Sequence, residues 1–72
     1  MDRTSVVSGN IISVGYEDGD QTLEVEYTGG DVYQYQGVPR STSDEMMGAP
    51  SPGEYFHASV LNAFPFHKVN RD

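Results

Sequence analysis

The segment from Thr22 to Thr28 alternates apolar and polar side chains, and this alternation constrains the fold more than any other feature of the chain. Successive side chains of a β-strand point to opposite faces of a sheet, so a period of two is typical of a strand with one buried face. The apolar positions form the predicted inner face: Leu23, Val25 and Tyr27. The polar positions form the predicted outer face: Glu24, Glu26 and Thr28.

Turn signals bound this strand on both sides. Asp18-Gly19 precedes it and Gly29-Gly30 follows it, and both dipeptides favour tight turns between antiparallel strands. Period-two alternation also marks Ile12 to Tyr16 before the first turn and Val32 to Gln36 after the second. The first half of the chain therefore predicts a three-stranded antiparallel meander, with one face toward the core and one toward water.

The second turn allows two registers, and a slip of one residue moves every side chain to the other face. A two-residue loop, Gly29-Gly30, would place Gln34 on the core face and Tyr33 and Tyr35 above the glutamates. A three-residue loop that also includes Asp31 would place both tyrosines on the inner face. The second register buries rings and exposes an amide, so we favour it and expect the rings to fill the core. If exposed, the rings would instead form a platform on which bases could stack.

The second half of the chain predicts two helical segments. Thr42 and Glu45 have the spacing of a capping box, which marks the start of a helix. Met46 and Met47 would follow inside this first helix, and Gly48-Ala49-Pro50 would end it. Serine and threonine are poor helix formers, so we expect this helix to be short.

A stronger helix start follows at Ser51-Pro52-Gly53-Glu54. Serine is a preferred N-cap, and proline fits the first helical position. Phe56, Val60 and Phe64 recur at intervals of four and form one apolar face, and the proline after Phe64 would end the helix. The predicted fold is therefore α+β: a three-stranded antiparallel β-meander followed by two short helical segments, to which Phe66 to Val69 can add a short closing strand.

The 72 residues allow a single domain, residues 1–72, with a core over about residues 5–69. Met1-Asp2 and Asn70-Arg71-Asp72 are expected to fray. There is no cysteine to form a disulfide, and a homodimer is one way in which so small a domain can bury more surface. The N-terminus does not resemble a signal peptide, and no apolar stretch approaches the ~20 residues that span a bilayer, so we expect a cytoplasmic protein.

One motif of the chain is specific enough to indicate a family: Tyr33-Gln34-Tyr35 followed by Gly37-Val38-Pro39. Shorter segments that accompany it are Val7-Ser8, Ile12 to Tyr16, Leu23 to Tyr27, Ala49 to Gly53 and Tyr55-Phe56. Together they resemble, from Val7 to Val69, the KTSC domain, a short module found alone in bacterial and phage proteins and at the C-terminus of some lysyl-tRNA synthetases. The resemblance implies a β-meander with helices. It implies no activity and no site residues, and the association with the synthetase suggests RNA binding.

The charge of the chain argues against that RNA-binding function. Eleven acidic residues oppose four basic ones, which gives a net charge of −7. Members of the KTSC family often carry basic residues after the position of Phe56, whereas residues 57–66 here contain no Lys or Arg. Since affinity for nucleic acid comes mainly from Lys and Arg at phosphates, we predict no useful binding of RNA or DNA at physiological salt.

Residues with catalytic or metal-binding potential are few. His57 and Glu54, at helical spacing, could supply three metal ligands together with His67, but three such residues arise easily by chance in an acidic chain. Two partly exposed imidazoles are the simpler interpretation. Glu24 and Glu26 would lie roughly 7 Å apart on one strand face and are more simply solvent-facing than catalytic. We therefore predict that the chain is not an enzyme and has no cofactor and no metal site.

These observations favour a small acidic protein-interaction module, such as a phage- or bacteria-encoded inhibitor or adaptor that binds a basic surface of a host protein. Two alternatives stay open. One is an RNA-binding, tRNA-associated module, by analogy with the KTSC family, and the other is an accessory domain with no ligand of its own. The expected partner is a protein, and no membrane contact is expected. Six residues form the candidate interaction surface: Glu24, Glu26, Asp31, Tyr33, Tyr35 and Arg40.

Overall fold

The computed structural model describes residues 3–69, so the predicted frayed ends at residues 1–2 and 70–72 lie outside the described residues. Five strands form one antiparallel sheet in the order β1-β2-β3-β4-β5. The strands are β1 Thr4–Ser8, β2 Ile11–Glu17, β3 Thr22–Tyr27, β4 Val32–Tyr35 and β5 Phe66–Lys68. The helices α1 Arg40–Gly48 and α2 Pro52–Ser59 lie between β4 and β5 in the chain.

The α+β class and the closing strand β5 are confirmed, and the sheet has one further strand, β1, that the sequence analysis did not predict. Period-two alternation is absent from β1 because Val6 and Val7 are adjacent. An irregularity between Ser5 and Ser8 shifts its register against β2. Val6 is half-buried, and Val7 is 82% exposed. An edge strand with this sequence resembles a loop when only its pattern is considered.

Strand β2 begins one residue earlier than predicted because it contains a bulge. Ile11 pairs with Tyr27 and Ser13 with Glu26, so Ile12 is an extra residue on β2. Ile11 is 1% exposed and belongs to the core, whereas Ile12 is only half-buried. Because of the bulge, Ile11 occupies the inner position, whereas the alternation predicted Ile12 there.

The side-chain faces of β4 are those that we favoured, although its pairing with β3 is shifted by two residues. Leu23 pairs with Tyr35 and Val25 with Tyr33, so both tyrosines lie on the inner face. The loop is Thr28-Gly29-Gly30 and not Gly29-Gly30-Asp31, because the Tyr27 N–H donates to the Asp31 carbonyl at 2.8 Å. Both loop glycines have positive φ, +102° and +98°, which only glycine adopts without strain.

The predicted capping box at Thr42 and Glu45 is wrong, because α1 starts two residues before Thr42. Pro39 is the N-cap and makes no side-chain capping bond, and the N–H groups of Thr42 and Ser43 donate to its carbonyl at 3.0 and 3.3 Å. Val38 is completely buried just before Pro39. Tertiary packing of Val38 therefore fixes where the helix begins, and Glu45 instead accepts a hydrogen bond from the Tyr55 hydroxyl.

The start of α2 is confirmed, but its predicted end at Pro65 is wrong. The Ser51 hydroxyl caps the helix by accepting from the Glu54 N–H at 3.5 Å, and Pro52 occupies the first turn. The last helical residue is Ser59. Val60 is buried at the C-cap, and Phe64 is half-buried in the turns beyond. These turns carry the chain back to the sheet, where it enters β5.

The core lies between the inner face of the sheet and the two helices. Nine apolar side chains are buried there: Ile11, Val14, Leu23, Val25, Tyr35, Val38, Met46, Phe56 and Val60. The strands contribute five of them, and the helices with their flanking residues contribute the other four. Toward β5 this core becomes increasingly aromatic, and that end of the domain carries the candidate site.

Candidate functional site

An open cleft of about 360 Å³ lies at the β4–β5 end of the core, beside the C-terminal part of α2. We call it the aromatic cleft. Seven residues line it: Tyr27, Asp31, Tyr33, Tyr35, His57, Leu61 and Phe66. Binding sites for small groups are typically concave and mostly apolar, with a few placed polar groups, and this cleft fits that description at the small end of the range.

Strand register brings the rings of the cleft together. Tyr35 pairs with Phe66 across β4 and β5, and Tyr33 is two residues from Tyr35 on the same face. The Tyr33 and Tyr27 rings meet edge to face at 5.4 Å and 84°. The Phe66 ring lies 5.6 Å from Tyr33 and 5.3 Å from Tyr35. Such tilted contacts are favourable for aromatic pairs and hold the walls of the cleft in place.

Burial differs sharply between the floor and the outer wall of the cleft. Tyr35 is 1% exposed and packs edge to face on Phe56 at 5.2 Å, so it forms part of the core. Tyr33 is half-buried, and Phe66 is 53% exposed. The prediction that the rings are core residues therefore holds for Tyr35 and only in part for Tyr33. Phe66 therefore adds an exposed ring to the apolar lining of the cleft, and contiguous exposed apolar surface is typical of interaction sites.

The floor of the cleft carries a pair of phenols. The hydroxyls of Tyr27 and Tyr35 lie 2.7 Å apart, and either can donate to the other. Burial raises the pKa of both tyrosines above the usual value, and for Tyr27 the hydrogen bond to Tyr35 raises the pKa further. Both phenols are neutral at physiological pH, and the half-buried Tyr27 keeps a lone pair that can accept from a bound group.

The rim of the cleft is charged. The carboxylate of Asp31 forms an ion pair with the Lys68 ammonium at 3.5 Å, and both side chains are about half exposed. His57 is exposed on α2, with its ring 5.7 Å from that of Phe56. An ion pair this open to water contributes little to stability, so its partners can exchange for others at low cost.

The six residues of the predicted interaction surface do not share one surface. Asp31, Tyr33 and Tyr35 meet in the aromatic cleft. Glu24 and Glu26 lie on the opposite face of the sheet, because they alternate with the inner residues of β3. Arg40 starts α1 and pairs with Asp18 at 3.1 Å and with Asp44 at 3.8 Å. The sequence analysis had grouped all six on one predicted surface: Asp31, Tyr33, Tyr35, Glu24, Glu26 and Arg40.

Glu24 is not the solvent-facing carboxylate that the alternation predicted, since only 9% of it is exposed. Arg3 donates to Glu24, and Gln34 donates to it from β4 at 2.8 Å. Arg3 also lies 3.5 Å from Glu26, which accepts from the Ser13 hydroxyl at 2.9 Å. The outer face therefore holds a paired polar network, and Glu24 is covered by neighbours that the sequence of β3 alone does not reveal.

The basic residues that the structure describes are all paired with carboxylates. Arg3 contacts Glu24 and Glu26, Arg40 contacts two aspartates, and Lys68 contacts Asp31. Within residues 3–69, no group of three or more His, Asp or Glu side chains is placed to hold a metal ion. No helix in the same range is long and apolar enough to cross a membrane.

Sequence reasoning missed Tyr27, His57, Leu61 and Phe66 as members of the site. The sequence did contain a signal for Phe66. The predicted closing strand begins at Phe66 and had to pair with an open edge of the sheet, and this pairing would bring Phe66 beside Tyr35 or Tyr33. Leu61 had no such signal. It lines the cleft because α2 ends at Ser59, and the predicted longer helix would have directed the chain elsewhere.

The fold and the cleft define a small α+β domain: a five-stranded meander with two helices on one face and an aromatic opening at one end. The sequence profile of the KTSC domain matches residues 7–64. The crystal structure of a KTSC domain protein from Yersinia pestis superposes with a TM-score of 0.89 and 33% sequence identity, covering 96% of this chain and 97% of that one. The chain therefore belongs to the KTSC domain family.

Other relatives are of two kinds. A lysine–tRNA ligase of Trichormus variabilis is 38% identical over 55 residues, which is 76% of this chain but 10% of the ligase. An uncharacterized protein of Stutzerimonas stutzeri is 35% identical over 57 residues, covering 79% of this chain and 80% of the relative. The chain thus spans about a tenth of the length of the ligases that it matches, and most of the length of small relatives.

Proposed function

We propose that this chain is a small acidic protein-interaction module that binds a basic surface of a partner protein through the aromatic cleft. The observation that carries the proposal is the open cleft itself, with the 53% exposed Phe66 on its wall and the Asp31 carboxylate on its rim. Aromatic side chains dominate the energetic centres of protein interfaces, and charged rims steer partners toward them.

The charge of the chain supports a basic partner. Its net charge is −7, and the Lys and Arg side chains that the structure describes are already paired. The exposed carboxylates of Asp20 in the β2–β3 turn and Glu54 on α2 extend the negative field, so a cationic surface is attracted from a distance. An inhibitor or adaptor encoded by a bacterium or phage, acting on a basic host protein, is one form that this function takes.

Affinity capture tests the proposal with a matched pair of variants. Phe66→Ala removes the exposed ring of the cleft, whereas Val7→Ala removes an exposed apolar side chain at the opposite edge of the sheet. A basic protein is captured from a bacterial lysate, identified, purified and titrated against all three forms. We expect Phe66→Ala to weaken binding by about tenfold or more, and Val7→Ala to leave it unchanged. Equal binding by all three forms would reject the cleft as the contact site.

RNA binding is the second candidate, favoured by the relatives named lysine–tRNA ligases and by the half-exposed rings of Tyr33 and Phe66. Aromatic rings of this kind stack bases in single-strand binders. RNA binding is disfavoured because phosphates need Lys or Arg partners, and the Lys and Arg side chains that the structure describes are already paired with carboxylates. The third alternative is an accessory domain with no ligand of its own, and such a domain would bind neither a protein nor an RNA in these experiments.

A further inference from the structure

We propose that the group bound in the aromatic cleft is the guanidinium of an arginine side chain on the partner protein. This inference rests on the proposed function and names its recognition chemistry. It starts from three rings that line the cleft: the Tyr33 ring is tilted by 84° against Tyr27 and by 55° against Phe66. Rings in such an arrangement present a face and edges to the same cleft, and a cation over a ring face is attracted by its negative quadrupole.

Charge complementarity selects a cation for this space. Asp31 supplies a carboxylate at the rim, and the cleft lies in a chain with a net charge of −7. On the floor, the half-buried Tyr27 offers a neutral phenol oxygen that can accept a hydrogen bond, whereas Tyr35 is part of the core. A guanidinium is a donor with no acceptor, and it matches a site made of ring faces, a phenol oxygen and a carboxylate.

Arginine fits these surroundings better than lysine does. A guanidinium is planar and weakly hydrated, stacks on aromatic rings and bonds a carboxylate through two N–H groups, whereas an ammonium is a strongly hydrated point charge. The chain already places its own lysine, Lys68, at the rim, where it pairs with Asp31 at 3.5 Å and stays about half exposed. An entering guanidinium would displace this weak, solvent-exposed pair and gain contacts with the rings of the cleft.

The test uses Nα-acetyl-arginine amide as the probe and Nα-acetyl-citrulline amide as its neutral isostere. Titration of the full chain is followed by amide chemical shifts in two-dimensional NMR spectra. We expect saturable shifts at the cleft residues with the arginine compound, with a dissociation constant on the order of millimolar, because a single side chain supplies the whole contact. The citrulline compound and Nα-acetyl-lysine amide should bind at least about threefold more weakly.

Charge-matched variants separate the cleft from the general field of the chain. Asp31→Asn and Asp20→Asn both remove one negative charge, but Asp20 lies exposed in the β2–β3 turn, outside the cleft. Asp31→Asn should weaken binding of the arginine compound by about threefold to tenfold, and Asp20→Asn should not. Lys68→Gln removes an internal competitor for the Asp31 carboxylate and should strengthen binding.

Three results would overturn the inference: equal binding of arginine and citrulline compounds, lysine binding as strong as arginine binding, or equal effects of the two aspartate variants. Loss of the fold in Asp31→Asn would leave the comparison of arginine with citrulline decisive, since it uses the unchanged chain. If arginine does not bind while a captured protein remains sensitive to Phe66→Ala, the guanidinium assignment fails and the proposed function stands.

Discussion

The backbone of Gly53, in the first turn of α2, lies directly against Ser8, the last residue of β1. The Gly53 N–H donates to the Ser8 hydroxyl at 3.0 Å, and a Cβ on Gly53 would lie 2.6 Å from the Ser8 carbonyl oxygen. The Ser8 and Ser51 hydroxyls are 3.4 Å apart at the same contact. The helix start is thereby fixed to the edge of the sheet, and this contact requires a residue without a side chain.

Replacement of Gly53 by alanine should therefore destabilise the fold, although alanine is the better helix former. We expect the free energy of unfolding to fall by ~1–3 kcal/mol, because backbone must move to admit the methyl group. Gly48→Ala is the control, since no atom lies within 4 Å of its added Cβ. That variant should be neutral or more stable by up to ~1 kcal/mol. The measurement is the free energy of unfolding of both variants in urea. A Gly53→Ala variant as stable as Gly48→Ala would refute the close contact.

Phe56→Ala should be the more damaging of two matched phenylalanine variants. Phe56 is completely buried between Tyr27 and Tyr35, and loss of a buried ring typically costs ~3–5 kcal/mol. Phe66→Ala removes a ring that is 53% exposed and should cost ~1 kcal/mol or less. Thermal melting compares the two, and similar melting temperatures would mean that the burial of the helix face has been misjudged.

Ser51→Ala should remove the N-cap of α2. The capping bond is long at 3.5 Å, so we expect a loss of ~0.5–1 kcal/mol, in the lower part of the range for N-caps. Thr42→Ala is the control at the predicted cap that the structure does not use, and it should change stability by less than ~0.5 kcal/mol. Chemical denaturation is again the measurement. A larger effect at Thr42 than at Ser51 would restore the capping box.

Stability should fall in alkaline solution because of the buried phenol pair. The pKa of Tyr27 and that of Tyr35 are raised in the folded chain, first by burial, above the ordinary value of 10.0. Above about pH 10 the unfolded chain therefore binds fewer protons than the folded one, and the free energy of unfolding decreases as pH rises. Below that pH the contribution is fully present. Unfolding midpoints measured from about pH 8 to pH 11 should show this decrease, and a Tyr27→Phe, Tyr35→Phe double variant should show less of it. An undiminished decrease in the double variant would assign the effect to other groups.

Nucleic acid should not bind with useful affinity at physiological salt. Micromolar binding needs about 8 kcal/mol, and stacking on an exposed ring returns only ~1–3 kcal/mol per base. The Lys and Arg residues of 3–69 are held by carboxylates and are not available to phosphates without a cost. Labelled tRNA, single-stranded RNA and duplex RNA titrated at ~150 mM salt provide the test. Saturable binding near or below micromolar would make RNA the first candidate.

Much of the fold could be predicted from the residues in order along the chain. The alternation of β3 predicted its inner and outer faces, and of the two registers that the second turn allowed, the favoured one put Tyr33 and Tyr35 on the face of Leu23, where the structure has them. Ser51 and Pro52 marked the start of α2 correctly. These predictions succeeded because periodicity and capping depend on residues within a few positions of one another.

The sequence by itself determined the α+β class, the central hairpin faces and the acidic character of the chain. Only the tertiary structure decided the burial of Glu24, the start of α1 and the end of α2. The burial of Glu24, for example, depends on Arg3, which is distant from it in sequence. The aromatic cleft depends on distance in the same way, because Phe66 meets Tyr33 only after β5 returns to the sheet. Local patterns record which face a side chain occupies, whereas packing between distant segments determines what covers it and what remains open to a partner.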